Sequence, residues 1–326
     1  MDYDVLLVLF EIFIGVVLVI AIFQKPYLGI ILIAASLPVA DVLPDLPYVS
    51  SVTPVIGIIT VLSYLISIKR KDIHYKFKFS NIHFISLVFI GWLFISNPNA
   101  AWFGEDRNWM LTYIQLWVLL WLAGELLDSS RKQKMLMWFF SIASVISAFS
   151  AIIQGQIGYS IYSSLRVDGF ATGANTASRY FVISMIFLIY LRSISSSKRE
   201  RFITTIGIAI SIIGLFFTVS RTGILLLFVS LGLMILLQPS LKYRVQVIVL
   251  IITIVSVVWI YADNIVRIVE SITPSIIYGT DTIGLRYKLW EAGWRMFIAH
   301  PIQGVGVGQY GHVLNSGFTV FSLILF

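Results

Sequence analysis

The chain has 326 residues, of which 58% are hydrophobic and only 12% charged, and its mean hydropathy is +0.92. Soluble domains carry about twice that charged share, so a water-solvated globule is excluded and a lipid-solvated one is indicated. The formal charge of +7 would suit a nucleic-acid partner, but the basic residues lie in short loops between apolar runs, as membrane topology requires. No nucleic-acid partner is therefore expected. The absence of cysteine removes disulfide frameworks and thiolate metal sites.

A helix needs roughly 20 apolar residues to cross the hydrocarbon layer. Ten runs qualify as candidates, at about 4–23, 27–42, 49–68, 82–97, 109–127, 135–157, 178–194, 202–219, 222–238 and 245–262. The second and fourth are short. The first begins beside Asp2 and Asp4, with no basic leader and no small-residue cleavage site, so it reads as a retained helix. The expected fold is an all-α integral membrane protein of about ten transmembrane helices.

Alternate loops differ sharply in charge. One set holds Lys25; Lys69, Arg70, Lys71, Lys76 and Lys78; Arg131, Lys132 and Lys134; Arg192, Lys198, Arg199 and Arg201; and Lys242 and Arg244. The other set of loops holds few basic residues: Arg107, Arg166 and Arg221, with Arg179 at a helix start. The positive-inside rule puts the first set in the cytoplasm, so the N-terminus and everything after the tenth run lie outside.

The outer loops are Pro-broken and acidic at 41–48, turn-rich with Trp102 at 97–108, and polar at 158–178. Beyond 263 comes the longest outer region. Within it, residues 284–300 read as a helix: Trp290, Trp294 and Phe297 recur on one face, Glu291 and Arg295 pair four apart, and Pro301 ends the run. Such a helix suits the outer membrane interface.

Arg221 stands in Ser220-Arg221-Thr222-Gly223, between two apolar runs with almost no loop, and no Asp or Glu occurs from 201 to 262. A guanidinium near the bilayer is expensive, about 2.5–3.5 kcal/mol at a helix centre and less toward the ends. It reads either as a bidentate grip on a phosphate or pyrophosphate, or as an arginine snorkelling to outer headgroups. Arg286, at the start of the Trp-bearing helix, reads by itself as an interfacial cation. Arg166 and Arg179 flank Asp168, Gly169, Phe170 and Asn175 in the third outer loop, where they line a cavity or simply meet solvent.

Gly306-Val307-Gly308-Gln309-Tyr310-Gly311 matches G-x-G-x-x-G in letters, but a dinucleotide site needs a preceding strand. Here a helix and Pro301 precede it, so a flexible turn is expected. None of His74, His83, His300 and His312 has metal-ligand spacing. His300 suits a helix C-terminus, and His312 is the one outer histidine that could serve as a general base. Glu11, within the first run, is either a proton-relay group or a carboxyl near the outer surface.

Three of these segments together resemble the O-antigen ligase/polymerase superfamily, whose shared region is called Wzy_C. Ser220-Arg221-Thr222-Gly223 is similar to that family's SR-x-G/A motif. Arg286 with Trp290, then His300-Pro301-Ile302 and Gly304-Val305-Gly306, resembles its R-x-x-x-W and hP-h-x-G-x-G segment. Arg166-Val167-Asp168-Gly169-Phe170 with Asn175 resembles its R-x-x-G-hydrophobic stretch and asparagine. The resemblance covers 166–311, after N-terminal transmembrane helices at 1–165.

The resemblance implies a GT-C-like bundle and a metal-independent glycosyltransferase of polysaccharide and cell-envelope synthesis, with no cofactor. It would act on the extracytoplasmic face of a bacterial cytoplasmic membrane. Its donor would be a glycan on a polyprenyl diphosphate such as undecaprenyl diphosphate, and its acceptor a glycan or lipid. Arg221 and Arg286 would hold the donor diphosphate, with Arg166 in the same outer cavity. The family's histidine in an H-N motif has no counterpart after Gly311, which leaves His312 as the candidate base. The apolar stretch of 312–326 reads as an incomplete stub, so a C-terminally truncated chain with doubtful activity is expected. The competing reading is a transporter or flippase of lipid-linked glycans, with cationic groups at the midplane of the bundle.

Overall fold

The computed structural model describes residues 3–43, 52–69, 80–96, 107–157, 167–237 and 282–311, together with 248 and 252. All the regular structure among them is helical. In chain order the helices are α1 (Tyr3–Gln24), α2 (Tyr27–Ser36) with a 3-10 turn at Leu37–Val42, α3 (Val52–Lys69), α4 (Asn81–Ser96), α5 (Arg107–Leu126) and α6 (Ser130–Ile157). They continue as α7 (Ala174–Ile194), α8 (Lys198–Phe217), α9 (Arg221–Leu237) and α10 (Thr282–Ala299).

Nine of the ten expected apolar runs coincide with these helices, and the tenth, 245–262, lies almost wholly outside the described residues. Among the described residues, five helical stretches are both long and apolar enough to cross a membrane: Val52–Lys69, Asn108–Leu126, Ser130–Gln156, Ala174–Ile194 and Lys198–Phe217. Four other apolar stretches are shorter. The second run is broken in two because Pro38 begins the 3-10 turn and Val39 leaves helical geometry at φ −124°, ψ 25°. Large apolar side chains cover the outside: Phe202 is 66% exposed, Leu225 64% and Leu237 77%. In water such surface would aggregate; in lipid it is the solvated face. The chain is a membrane protein.

The chain forms two compact units. The first comprises 1–75 and 123–260. Its centre is the packing of α6, α7 and α8, with α9 on α7 and with α2 and α3 beyond α6. Lipid provides no hydrophobic drive between helices, so close contact must come from small residues and hydrogen bonds. Ser141, Ser144 and Ser147 form a buried stripe along α6, and the Ser144 hydroxyl donates to the Tyr180 carbonyl at 3.1 Å. Across from it, a Cβ on Gly214 of α8 would lie 2.8 Å from Ala148 Cβ and 3.0 Å from that residue's backbone. Phe181, Met185, Leu215, Leu227 and Leu231 fill the remaining core.

The contacts also sort this unit into two ends. Ser63 on α3 donates to the Ile22 carbonyl near the end of α1, and Lys132 stands 5.1 Å over the Tyr27 ring while pairing with Asp128 at 2.8 Å. Arg192 donates to the Arg201 carbonyl at 2.9 Å. Lys25, Lys69, Arg131, Lys132, Lys134, Arg192, Lys198, Arg199 and Arg201 therefore gather at one end. Asp41, Gln154, Asp168, Asn175, Ser220 and Arg221 gather at the other, where Asp41 N–H donates to the Phe170 carbonyl at 3.1 Å.

The second unit comprises 76–122 and 261–326. In it α4 and α5 run antiparallel, with Phe89 edge-on to Tyr113 and Trp117 Nε1 donating to the His83 carbonyl at 3.3 Å. His83 closes the start of α4: its Nδ1 accepts from Ser80 N–H at 3.2 Å and lies 2.7 Å from Ser80 Oγ. The histidine thus fills the reciprocal position of a capping box.

Candidate functional site

Arg221 is the first residue of α9. Helix α8 ends at Phe217, and the chain reverses through Thr218 and Val219, the latter held at φ +49°. A β-branched residue in the left-handed region is strained, so the surroundings must over-determine the turn. They do so through Ser220, which is fully buried. Its Oγ accepts from Gly223 N–H at 3.2 Å, capping α9, and donates to Asn175 Oδ1 at 3.0 Å. Ser178 Oγ lies 3.0 Å and Thr222 Oγ1 3.1 Å away.

Gly223 explains the fourth position of the motif. A Cβ there would sit 2.5 Å from Ser178 Cβ, so only glycine lets the first turn of α9 meet the first turns of α7. Two helix N-termini consequently adjoin at one spot, each the positive end of a helix dipole. Arg221 is exposed beside them. Fixed amides, hydroxyls and a permanent cation form a setting that favours an anion.

The 167–173 loop closes this end of the unit. Gln154 on α6 clamps Gly169 from both sides, with Nε2 donating to its carbonyl at 2.8 Å and Oε1 accepting its N–H at 3.0 Å. Phe170 N–H donates to Ser147 Oγ at 3.0 Å. Gly169 adopts φ +66°, and a Cβ on it would lie 2.2 Å from the Ser147 carbonyl oxygen. Asp168 is half-buried in the loop. Burial, and then the nearby charge of Asp41, push its carboxyl above the usual carboxylate range, partly opposed by hydrogen bonds from its own and the Gly173 backbone N–H.

Helix α7 starts at Ala174, four residues earlier than the apolar run suggests, with Gly173 as its N-cap at φ +97°. Asn175 and Ser178 are thereby helical rather than loop residues. Their polarity hid the first turn of the helix, and it is this turn that packs on α9.

In the second unit α10 spans Thr282–Ala299, as its aromatic spacing suggests. Arg295 Nη2 pairs with Glu291 Oε1 at 2.7 Å. Ala292 and Met296 are buried, whereas Trp290 is 73% and Trp294 62% exposed, so the aromatic face turns away from the unit's interior. His300 follows the last helical turn, and its carbonyl accepts from Gly304 N–H at 2.9 Å. Gly304, Gly306 and Gly308 all have φ between +71° and +102°, which makes the segment a turn built on left-handed glycines. No strand precedes it among the described residues, so the dinucleotide letters have no dinucleotide geometry. Together with Trp92, Leu93 and Ser96 of α4, the end of α10 and this turn line a cavity of about 340 Å³.

The structure thus brings Arg221 and Asn175 together in the first unit. Arg286 lies in α10 of the second, with its backbone alone described. Arg166 and His312 lie outside the described residues. The clamps by Gln154 and Ser147 carry no sequence signal, because a Gln and a Ser within an apolar run resemble any other polar interruption.

Comparison with known families bears on the same segment. Residues 206–322 match the family model described as O-Antigen ligase, Wzy_C. The match opens within α8 and takes in Ser220–Gly223, α10 and the glycine turn. No curated protein and no solved structure matches the chain. The O-antigen ligase/polymerase superfamily is thus supported both by the motifs and by an independent family match.

Proposed function

We propose, from the premise that residues 206–322 carry a Wzy_C, O-antigen ligase, domain, that this chain binds a polyprenyl-diphosphate glycan and transfers the glycan to a glycan or lipid acceptor at the outer face of the cytoplasmic membrane. One observation carries the reading: Arg221 opens α9 where the N-termini of α7 and α9 adjoin, at the end of the unit opposite the basic loops. An anion bound there would be met by amide N–H groups and a guanidinium already in place. In a water-poor site such preorganised donors stabilise developing charge without reorganisation.

In the reaction the acceptor hydroxyl attacks the anomeric carbon. The bond from that carbon to the diphosphate oxygen breaks, and the diphosphate leaves on its lipid. Arg221, Arg286 and Arg166 are assigned to the diphosphate and His312 to the departing hydroxyl proton, all in a GT-C-like bundle of about ten spans. The alternative, a flippase, is less well supported, because Arg221 stands at a helix start near one end of the first unit and not midway along a helix.

The test is transfer in cells whose own polymerase or ligase has been removed and which supply lipid-linked glycan. Arg221→Ala and Arg286→Ala are expected to abolish transfer with insertion intact. Arg221→Lys should recover little, since a point charge lacks the bidentate fork. Full transfer by both alanine variants would remove the diphosphate role. The assigned face is tested separately with single cysteines, which need no background removal in this chain. Cysteine at Ser130 or Ser197 should be shielded from an impermeant thiol reagent in intact cells, and cysteine at Ser163 or Ser275 labelled. Labelling at 197 with none at 275 inverts the topology.

A further inference from the structure

We infer that Asn175 is a positioning residue: acting through the buried Ser220 hydroxyl, it holds the first turn of α9, and so Arg221, in the place where an anion is met. The inference rests on the donor-site reading above for its function, but its geometry stands independently. The chain reverses between α8 and α9 through Val219 at φ +49°, a conformation that a β-branched residue does not keep on its own. At the start of α9, side-chain bonds meet at one atom, the Ser220 hydroxyl oxygen. Ser220 Oγ gives its proton to Asn175 Oδ1 at 3.0 Å and takes one from Gly223 N–H at 3.2 Å. Ser220 is fully buried, so water does not compete for these bonds.

Asn175 is itself well anchored. It lies in the first turn of α7, and Ser178 Oγ, 3.0 Å from Ser220 Oγ, donates to the Asn175 carbonyl at 2.8 Å. The absence of a Cβ on Gly223 lets the two turns approach within reach of this bond. The residue next to Ser220 is Arg221, so a shift at Ser220 is passed directly to the guanidinium. A charged group that must meet a small anion tolerates little such motion: misplacement of about 1 Å can cost about 10²-fold in rate.

The experiment uses the full chain in detergent micelles and exploits its lack of cysteine. A nitroxide is attached to Arg221→Cys, and in a second sample to Leu225→Cys, an exposed site one turn along α9. In the parent background the label at 221 should be immobilised. Asn175→Ala should mobilise it with little change at 225. Ser220→Gly should do the same, because glycine still caps a helix within a few tenths of a kcal/mol but has no hydroxyl to give. Asn175→Asp, which keeps an acceptor oxygen, should leave the label at 221 immobilised.

With Arg221 intact, affinity for inorganic pyrophosphate should fall about tenfold in Asn175→Ala, the size of one charge-assisted hydrogen bond. An unchanged spectrum at 221 in both Asn175→Ala and Ser220→Gly overturns the inference. So does equal mobilisation at 221 and 225, which would mean a loosened helix and not a released first turn. A parent chain that fails to bind pyrophosphate counts against the donor-site reading alone, since the label spectra still decide the clamp.

Discussion

The two ends of the first unit use polar residues in opposite ways. At the basic end the charged groups are long side chains on helix termini. Lys132 pairs with Asp128 and lies over Tyr27, and Arg192 reaches a neighbouring carbonyl, but these groups keep much of their exposure. At the opposite end short buried hydroxyls do the bonding: Ser147, Ser178 and Ser220 bond to backbone or to one another, with Gln154 and Asn175 reaching in from α6 and α7. The first arrangement leaves the side chains free to move. The second fixes a loop and a helix start in single positions. Long exposed charges and short buried hydroxyls thus differ in how firmly they hold the backbone around them.

The comparison is broken most severely by Gly169→Ala. The new methyl meets the Ser147 carbonyl, a backbone atom that cannot turn aside, in a left-handed backbone that alanine disfavours. A loss of about 2–4 kcal/mol is expected, combining overpacking with backbone strain. Thermal unfolding in micelles reads it, with Gly232→Ala as reference, since nothing lies within 4 Å of a Cβ there. A loss no larger than the reference would mean that the loop is not clamped.

Asp168→Asn tests the same loop by titration. The raised carboxyl keeps its proton in the folded chain at pH values where the unfolded chain has released it. Its stabilising contribution is therefore complete below the unfolded value of 3.8 and is lost as pH rises through the folded value. The amide that replaces the carboxyl does not ionise, so the variant should be the more stable at neutral pH, with the advantage shrinking as pH falls into the carboxylate range. Unfolding midpoints of both proteins measured across that range check the sign. At the other end, Lys132→Ala should shift stability by no more than about 0–1 kcal/mol, as exposed ion pairs do. A loss like that of Gly169→Ala would erase the contrast between the ends.

Much of this was legible in the chain itself. Nine apolar runs gave nine helices within a few residues, since lipid solvation demands length and apolarity and both are local properties. The Glu291–Arg295 pair, the aromatic face of α10 and the helix start at Arg221 also followed from spacing. The start of α7 did not, because its first turn is polar and resembles a loop until α9 is seen against it. Nor did the left-handed Val219, a residue type that gives no warning of that conformation.

What sequence by itself determined was a helical membrane chain, the clustering of its basic residues in alternate loops, and a later segment that resembles the O-antigen ligase family. These rest on hydropathy, charge and short motifs, which act over a few residues. Only the tertiary structure decided why the motif has its residues. Ser220 is there for Asn175, 45 positions earlier, and Gly223 for Ser178 on another helix. Hydrogen bonds of about 3 Å and contacts of a single methyl depend on how helices distant in the chain meet, and no local pattern encodes that meeting.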